Sequence, residues 1–215
     1  MEKKMEWLKL KQEQLKMVEK QGYDITPERS LYSITPQQFL ELYEPWAQQQ
    51  GKTLYNSLTQ TYEPLDPSRH RLLVYYSDQT NKAAIEGLGR EMAKGIRDVI
   101  LITPEPLKAQ AQEIWNRISL RRQRHFIDAE LMHDITIHVY VPAHRILGPE
   151  EAKTLLTQNH FRPGQMPLLP YEDPQNKYRR AQGGQIVEIM RHEMIPEALV
   201  KMYPFYRVVD DPAPD

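Results

Sequence analysis

Asp173-Pro174-Gln175-Asn176-Lys177-Tyr178-Arg179-Arg180-Ala181-Gln182-Gly183-Gly184-Gln185-Ile186-Val187-Glu188-Ile189-Met190-Arg191 is the stretch from which the fold can be read. Asp173-Pro174 is a turn signal, because the proline ring fixes its own φ and pushes Asp173 out of the helical region. Gly183-Gly184 permits a backbone turn closed to other residues. Ile186, Glu188 and Met190 then alternate with Val187, Ile189 and Arg191 in a β-rich run. The reading is a turn or short helix, a tight glycine turn, and a strand with one apolar face.

Upstream lies His138-Val139-Tyr140-Val141-Pro142-Ala143-His144. A helix from about 149 to 159 follows, with Glu150 and Glu151 at its positive end. A last strand is expected at 205–209. Together these make a small α/β module from residue 133 to 209. Asp210 and Asp211 open a tail, 210–215, too polar to pack and expected to be disordered.

The first 132 residues read as a second α/β domain. Residues 3 to about 21 form an amphipathic helix with Met5, Leu8, Leu15 and Val18 on one stripe and Gln and Lys on the other side. Gly22 is its stop. Thr35-Pro36 starts another helix through Phe39, Leu42, Tyr43 and Trp46, in which Pro45 predicts a kink or early end. Residues 52–70 read as irregular. Leu72-Leu73-Val74-Tyr75-Tyr76 and Asp98-Val99-Ile100-Leu101-Ile102 are apolar runs typical of strands covered on both faces. Asp78 or Thr80 is expected to cap the helix between them, and Thr103-Pro104 to start the next. His125-Phe126-Ile127 is a third strand. Strand, helix, strand, helix, strand implies a partly parallel sheet.

Composition narrows the function classes. The 215 residues include no cysteine, which removes disulfides, thiol catalysis and cysteine zinc sites. No apolar run approaches the ~20 residues that span a bilayer, so no membrane partner is expected. The net charge of −1 lacks the basic excess that drives free-standing DNA binding. The local basic cluster is Arg117, Arg121, Arg122 and Arg124. On an extended strand His138 and His144 stand roughly 20 Å apart, too far for one metal ion; a bend at Pro142 would bring them closer, but no acidic partner stands at ligand spacing. No serine sits in a nucleophile elbow, and Gly87-Leu88-Gly89 lacks the context of a dinucleotide fingerprint. A metal-dependent nuclease is the best enzymatic alternative, with Asp78, Asp98 and Asp128 near strand ends; the carboxylate–lysine pattern it requires is incomplete.

The spacing Asp-Pro-x-x-x-Tyr-x-x-x-x-x-Gly-Gln-x-Val-x-Ile-x-Arg resembles the signature of the fifth subunit of eukaryotic-type multisubunit DNA-directed RNA polymerases, a family shared with archaea. His138, Val141, Pro142 and His144 resemble its His-x-x-Val-Pro-x-His segment. Pro167 stands in its Leu-Pro, and Tyr206-Arg207-Val208 resumes the likeness after a short insertion. Trp7 and Gly22-Tyr23 resemble its opening helix. Arg179-Arg180 departs from the family, which has an aromatic residue and a glycine there.

This resemblance implies a non-catalytic subunit without cofactor or metal. It would dock on the largest polymerase subunit among the others, and its N-terminal jaw would lie near downstream DNA. Asp173, Pro174, Tyr178, Gly184, Gln185, Arg191, Tyr206 and Arg207, with the His-x-x-Val-Pro-x-His residues and Pro167, would be its assembly or structural motif. Thr103 and Pro104 resemble half of the family's Thr-Pro motif and would be DNA-proximal. The two-domain layout looks eukaryotic, since the archaeal counterpart resembles the C-terminal module alone. A cellular version would be nuclear. A version from a large DNA virus would occupy the virion and host cytoplasm. An isolated interaction module is the other alternative.

Overall fold

The computed structural model describes residues 2–93, 95–118, 123–195 and 199–210, without the side chains of residues 2–5, 163, 192–195 and 199–201. The Met5 side chain of the first stripe, Arg121 and Arg122 of the basic cluster, and tail residues 211–215 therefore lie outside what is described. The chain divides into two compact units, Met1–His133 and Asp134–Asp215. It is a mixed α/β protein with one four-stranded sheet in each.

The first unit opens with α1 (Glu2–Lys20). Gly22, with φ of 83°, ends it in the left-handed region. Leu8, Leu15 and Val18 are buried as the stripe predicts, but so are Lys11, Gln14 and Gln21. The polar side of α1 is thus only partly solvated, with Lys9, Lys16, Glu19 and Lys20 exposed. Lys11 Nζ donates to Tyr62 (2.9 Å) and to the Leu58 carbonyl (3.1 Å) and pairs with Glu28 (3.1 Å). The Tyr62 hydroxyl also contacts Glu28, and Tyr43 donates to the same carboxylate at 3.1 Å. Tyr76 donates to Gln14. Burial pulls the Lys11 ammonium below its ordinary pKa, and Glu28 opposes that. Burial, reinforced by Glu28, pushes the Tyr62 hydroxyl well above its ordinary value.

The helix α2 (Pro36–Gln49) starts with a full capping box, Thr35 accepting from the Gln38 N–H and Gln38 from the Thr35 N–H. Pro45 does not end it. Pro45 is exposed, so water can replace the lost hydrogen bond. Residues 52–70 are not wholly irregular: they hold α3 (Leu54–Ser57), capped by Thr53, and β1 (Gln60–Tyr62). Both are too short to show periodicity.

The sheet runs β1, β2 (Leu72–Tyr76), β3 (Asp98–Thr103), β4 (Gln123–Ile127). β1 pairs antiparallel with β2, and β2, β3 and β4 are parallel. Every residue of β3 is buried. One face of the sheet packs on α4 (Lys82–Met92) and α5 (Ala109–Arg117), through Leu73, Val99 and Leu101 against Ile85, Leu88, Ala111 and Trp115.

Two expected caps are different residues. Asn81, not Asp78 or Thr80, caps α4 by accepting from the Ala83 N–H. Asp78 is held by Asn56, and the Thr80 carbonyl takes the Lys108 N–H. Thr103-Pro104 does not start α5, which begins at Ala109. Pro104 and Pro106 push Thr103 and Glu105 out of the helical region. A last turn, α6 (Asp128–Leu131), closes the unit.

In the second unit the sheet order is β5 (Ala143–Ile146), β7 (Ile186–Ile195), β8 (Leu199–Val209), β6 (Leu168–Leu169). β7 and β8 are longer than expected: residues read as an insertion extend them into a ribbon paired from Ile186–Val208 to Ile195–Leu199. Nor has β7 a single apolar face. Val187 and Ile189 join a cluster with Leu169, Ala181 and Val209, while Ile186 joins Leu147, Met166 and Val208 beside α7 (Pro149–Gln158). The helix α8 (Pro174–Arg179) precedes β7.

Candidate assembly site

The motif residues from 173 to 185 form an internal clamp. Asp173 caps α8, accepting from the Gln175 N–H at 2.9 Å, with Pro174 at the first helical position. The buried amides of Gln175 and Asn176 donate to the Ile135 and Pro170 carbonyls. Tyr178 is only 4% exposed. Arg180 ends the helix in the left-handed region, φ 54°, a conformation that favours glycine. This is the position where the family signature carries glycine.

The Gly184 turn (φ 79°) then ties the clamp to β8: Gly184 N–H donates to the Val209 carbonyl, and Val209 N–H to that of Gln185. The Gln185 side chain accepts from the Gln182 N–H at 2.7 Å. Val208 N–H donates to the Pro167 carbonyl, and Arg207 to that of Leu168. Tyr206 donates to Glu188, which also binds Arg145. Arg191 stacks on Phe205, its guanidinium carbon 4.2 Å from the ring centre.

The segment leading into β5 does the opposite and turns apolar side chains outward. Asp134 accepts from the Thr136 N–H, starting the 3-10 turn Ile135–Ile137. His138 accepts the Val141 N–H on its carbonyl and the Tyr140 N–H on Nδ1. That bend leaves Ile137 75%, Val139 88% and Tyr140 89% exposed. Val139 and Tyr140 lie within the His-x-x-Val-Pro-x-His segment and Ile137 just before it, but the sequence reading did not select them. Their alternation with His138, just before a proline, was the available signal.

His144 Nδ1 lies 2.7 Å from the Pro142 carbonyl, so both motif histidines are engaged with backbone. Among the described residues no group of three or more His, Asp or Glu could hold a metal ion. Burial lowers the His144 pKa below 6.5, and nearby Arg179 adds to this. The unfolded chain therefore takes up this proton at higher pH than the folded one. Stability is expected to fall as pH drops below 6.5, and His144→Gln to flatten that stretch of a denaturation-versus-pH curve. An unchanged slope in the variant would show that other groups cause the loss.

The remaining candidates scatter. Thr103 is fully buried at the end of β3; its hydroxyl donates to the Glu105 carbonyl (2.6 Å) and lies 2.8 Å from His125 Nε2. Pro104 is half-buried. Asp78 and Asp128 are held by the adjacent α3 residues Asn56 and Tyr55. Asp98 instead begins β3 and accepts from Tyr23. In this parallel sheet, Asp98 lies a strand length, roughly 17 Å, from the end that Asp78 and Asp128 follow. The three carboxylates do not share one site. No described helix is long and apolar enough to cross a membrane.

Comparison with known proteins places the chain in a family of transcription-enzyme subunits. The family "RNA polymerase Rpb5, C-terminal domain" matches residues 133–209. The archaeal "DNA-directed RNA polymerase subunit Rpo5" of Pyrococcus abyssi is 46% identical over 72 residues, 34% of this chain and 83% of that protein. "DNA-directed RNA polymerases I, II, and III subunit RPABC1" of Caenorhabditis elegans is 31% identical over 113 residues, 53% of this chain and 52% of the relative. The chain belongs to the fifth-subunit family of multisubunit RNA polymerases. It spans about half the length of the eukaryotic relatives it matches.

Proposed function

We propose that this chain is a non-catalytic subunit of a DNA-dependent RNA polymerase that docks on the largest subunit through its second unit. The observation that carries this is the run of exposed Ile137, Val139 and Tyr140 beside a rigid, hydrogen-bonded clamp. Protein–protein anchors are commonly aromatic side chains of this kind, held on a fixed frame. The clamp residues, including Tyr178 and Gly184, act by shaping that frame. The first unit serves as the jaw near downstream DNA, with Pro104 and Glu105 as its approach point rather than the buried Thr103 hydroxyl. The subunit works in the nucleus if cellular, and in the virion and host cytoplasm if viral. The nuclease alternative is weaker, because the candidate carboxylates lie at opposite ends of the sheet.

Photo-crosslinkers at positions 140 and 104 in an assembled elongation complex test both parts. Position 140 is expected to crosslink to the largest subunit, and position 104 to downstream DNA. Absence of any polymerase chain at position 140 would refute the docking surface, and absence of DNA at position 104 the jaw.

A further inference from the structure

The face of α8 turned toward the exposed run carries a cation without a partner. Gln175 and Arg179 are four residues apart in α8 and so share one face of the helix. Gln175 donates to the Ile135 carbonyl at 3.2 Å, which sets that face against the Ile135–Ile137 turn. Arg179 therefore stands at the root of the segment that exposes Ile137, Val139 and Tyr140. Its charge is felt by His144 at one end of that segment, and it feels Asp134 at the other.

Arg179 is half-buried, and its Nε is closed off from water with no hydrogen-bond partner. Among the described residues no hydrogen bond or ion pair holds its guanidinium. The two nearby carboxylates are committed elsewhere. Asp134 accepts from the Thr136 N–H (2.9 Å) and hydroxyl (2.6 Å), and Asp173 caps α8. The buried neighbours Lys177 and Arg180 have partners of their own. Burial pulls the Arg179 guanidinium below its ordinary pKa, and Asp134 opposes that only in part. An arginine stays protonated all the same. A lone charge in a partly dehydrated place costs stability until a counter-ion joins it.

We propose that Arg179 takes a carboxylate of the largest subunit, an aspartate or glutamate set beside apolar side chains that cover Val139 and Tyr140. The inference rests on the docking reading above and adds the chemistry of the group that meets the surface. A guanidinium binds a carboxylate through two parallel hydrogen bonds, which fix orientation as well as adding energy. A nucleic-acid phosphate also matches the guanidinium, but Ile137 and Val139 on the same segment suit an apolar protein surface. Arg179 is one of the two departures from the family signature, so the matching acid belongs to this chain's own polymerase.

The affinity of the full chain for its own polymerase, prepared without it, tests the proposal. Arg179→Gln should weaken binding about tenfold or more, with hydrogen-exchange protection of α8 and β7 unchanged. Arg179→Met, which keeps the packing of the stem, serves if the glutamine variant loses protection. Salt should weaken the wild type more than the variant. Arg179→Glu should weaken binding further, and an arginine in place of one acid of the largest subunit, near the crosslink from position 140, should restore it. Lys153→Gln on α7 should change nothing. Tyr140→Ala tests the docking reading separately. Loss with Tyr140→Ala and none with Arg179→Gln would overturn the carboxylate and leave the docking surface standing, whereas loss with neither would remove the surface as well. A loss with Arg179→Gln that salt does not alter, that no charge exchange on the largest subunit reverses for Arg179→Glu, or that appears only when nucleic acid is bound would also overturn the proposal.

Discussion

Lys11→Met is expected to destabilise the first unit by about 3–5 kcal/mol, because it leaves the Glu28 carboxylate without its cation in a site largely shielded from water. Lys11 is fully buried, and the Glu28 side chain is 13% exposed. The ammonium also lies against the rings of Tyr62 and Tyr76, at 5.5 and 5.7 Å from their centres. Desolvating a lysine is costly, so the pair as a whole contributes far less than breaking it takes away. The double variant Lys11→Met/Glu28→Gln should therefore recover much of the loss, because glutamine still accepts from Tyr43 and carries no charge. Urea denaturation of the wild type, both single variants and the double variant gives the coupling directly. Additive losses would show that Lys11 and Glu28 act independently and that the network is only a packing arrangement.

Tyr178→Ala is expected to cost the second unit about 3–5 kcal/mol, the usual penalty for truncating a buried aromatic residue. That is a large share of the stability available to a module this small. Tyr178 sits between the Asp173 cap and the left-handed Arg180, so its loss removes the packing that holds both ends of α8. Hydrogen exchange should report it as lost protection in β5, β7 and β8, and association with the largest subunit should fall with the fold. Tyr140→Ala, on the exposed segment, should weaken association while protection stays intact. If Tyr178→Ala kept its protection and still lost binding, Tyr178 would be a contact residue despite its burial.

The contrast between what could and could not be read from the chain follows from where polar groups go. The apolar runs of β2 and β3 were legible because parallel strands are covered on both faces, so nearly every side chain is apolar. Lys11 and Gln14 were not, since their partners Glu28, Tyr62 and Tyr76 are distant in sequence, and an amphipathic pattern assigns polar positions to solvent. Thr103-Pro104 carries the residues of a helix start, yet the proline at 106 moves the helix to Ala109. Around the candidate site, the fixed spacing from Asp173 to Arg191 identified the family but not which motif residues face outward. Spacing records that residues are needed together, and a buried clamp needs that as much as an interface does. The exposed Val139 and Tyr140 became visible only once the His138 hydrogen bonds fixed the bend.

The strand pairings also dictate how fast each sheet can form. In the β7–β8 ribbon Ile195 pairs with Leu199, and pairing continues outward to Ile186 and Val208, each step closing a loop already shortened by the one before. Leu72 must instead find Asp98, and Val99 must find Gln123, across a whole helix each time. Closing those longer loops costs entropy before any contact rewards it. A nascent chain makes the strands of the parallel sheet before those of the ribbon but pairs them slowly, whereas the ribbon zips at once. Refolding from denaturant would therefore show a fast phase from the ribbon and slower ones from the rest, since β5 and β6 must reach β7 and β8 from Ile146 to Val187 and from Leu168 to Val208. The slow phase of the first unit is the interval in which β3, apolar along nearly its whole length, is open to aggregation.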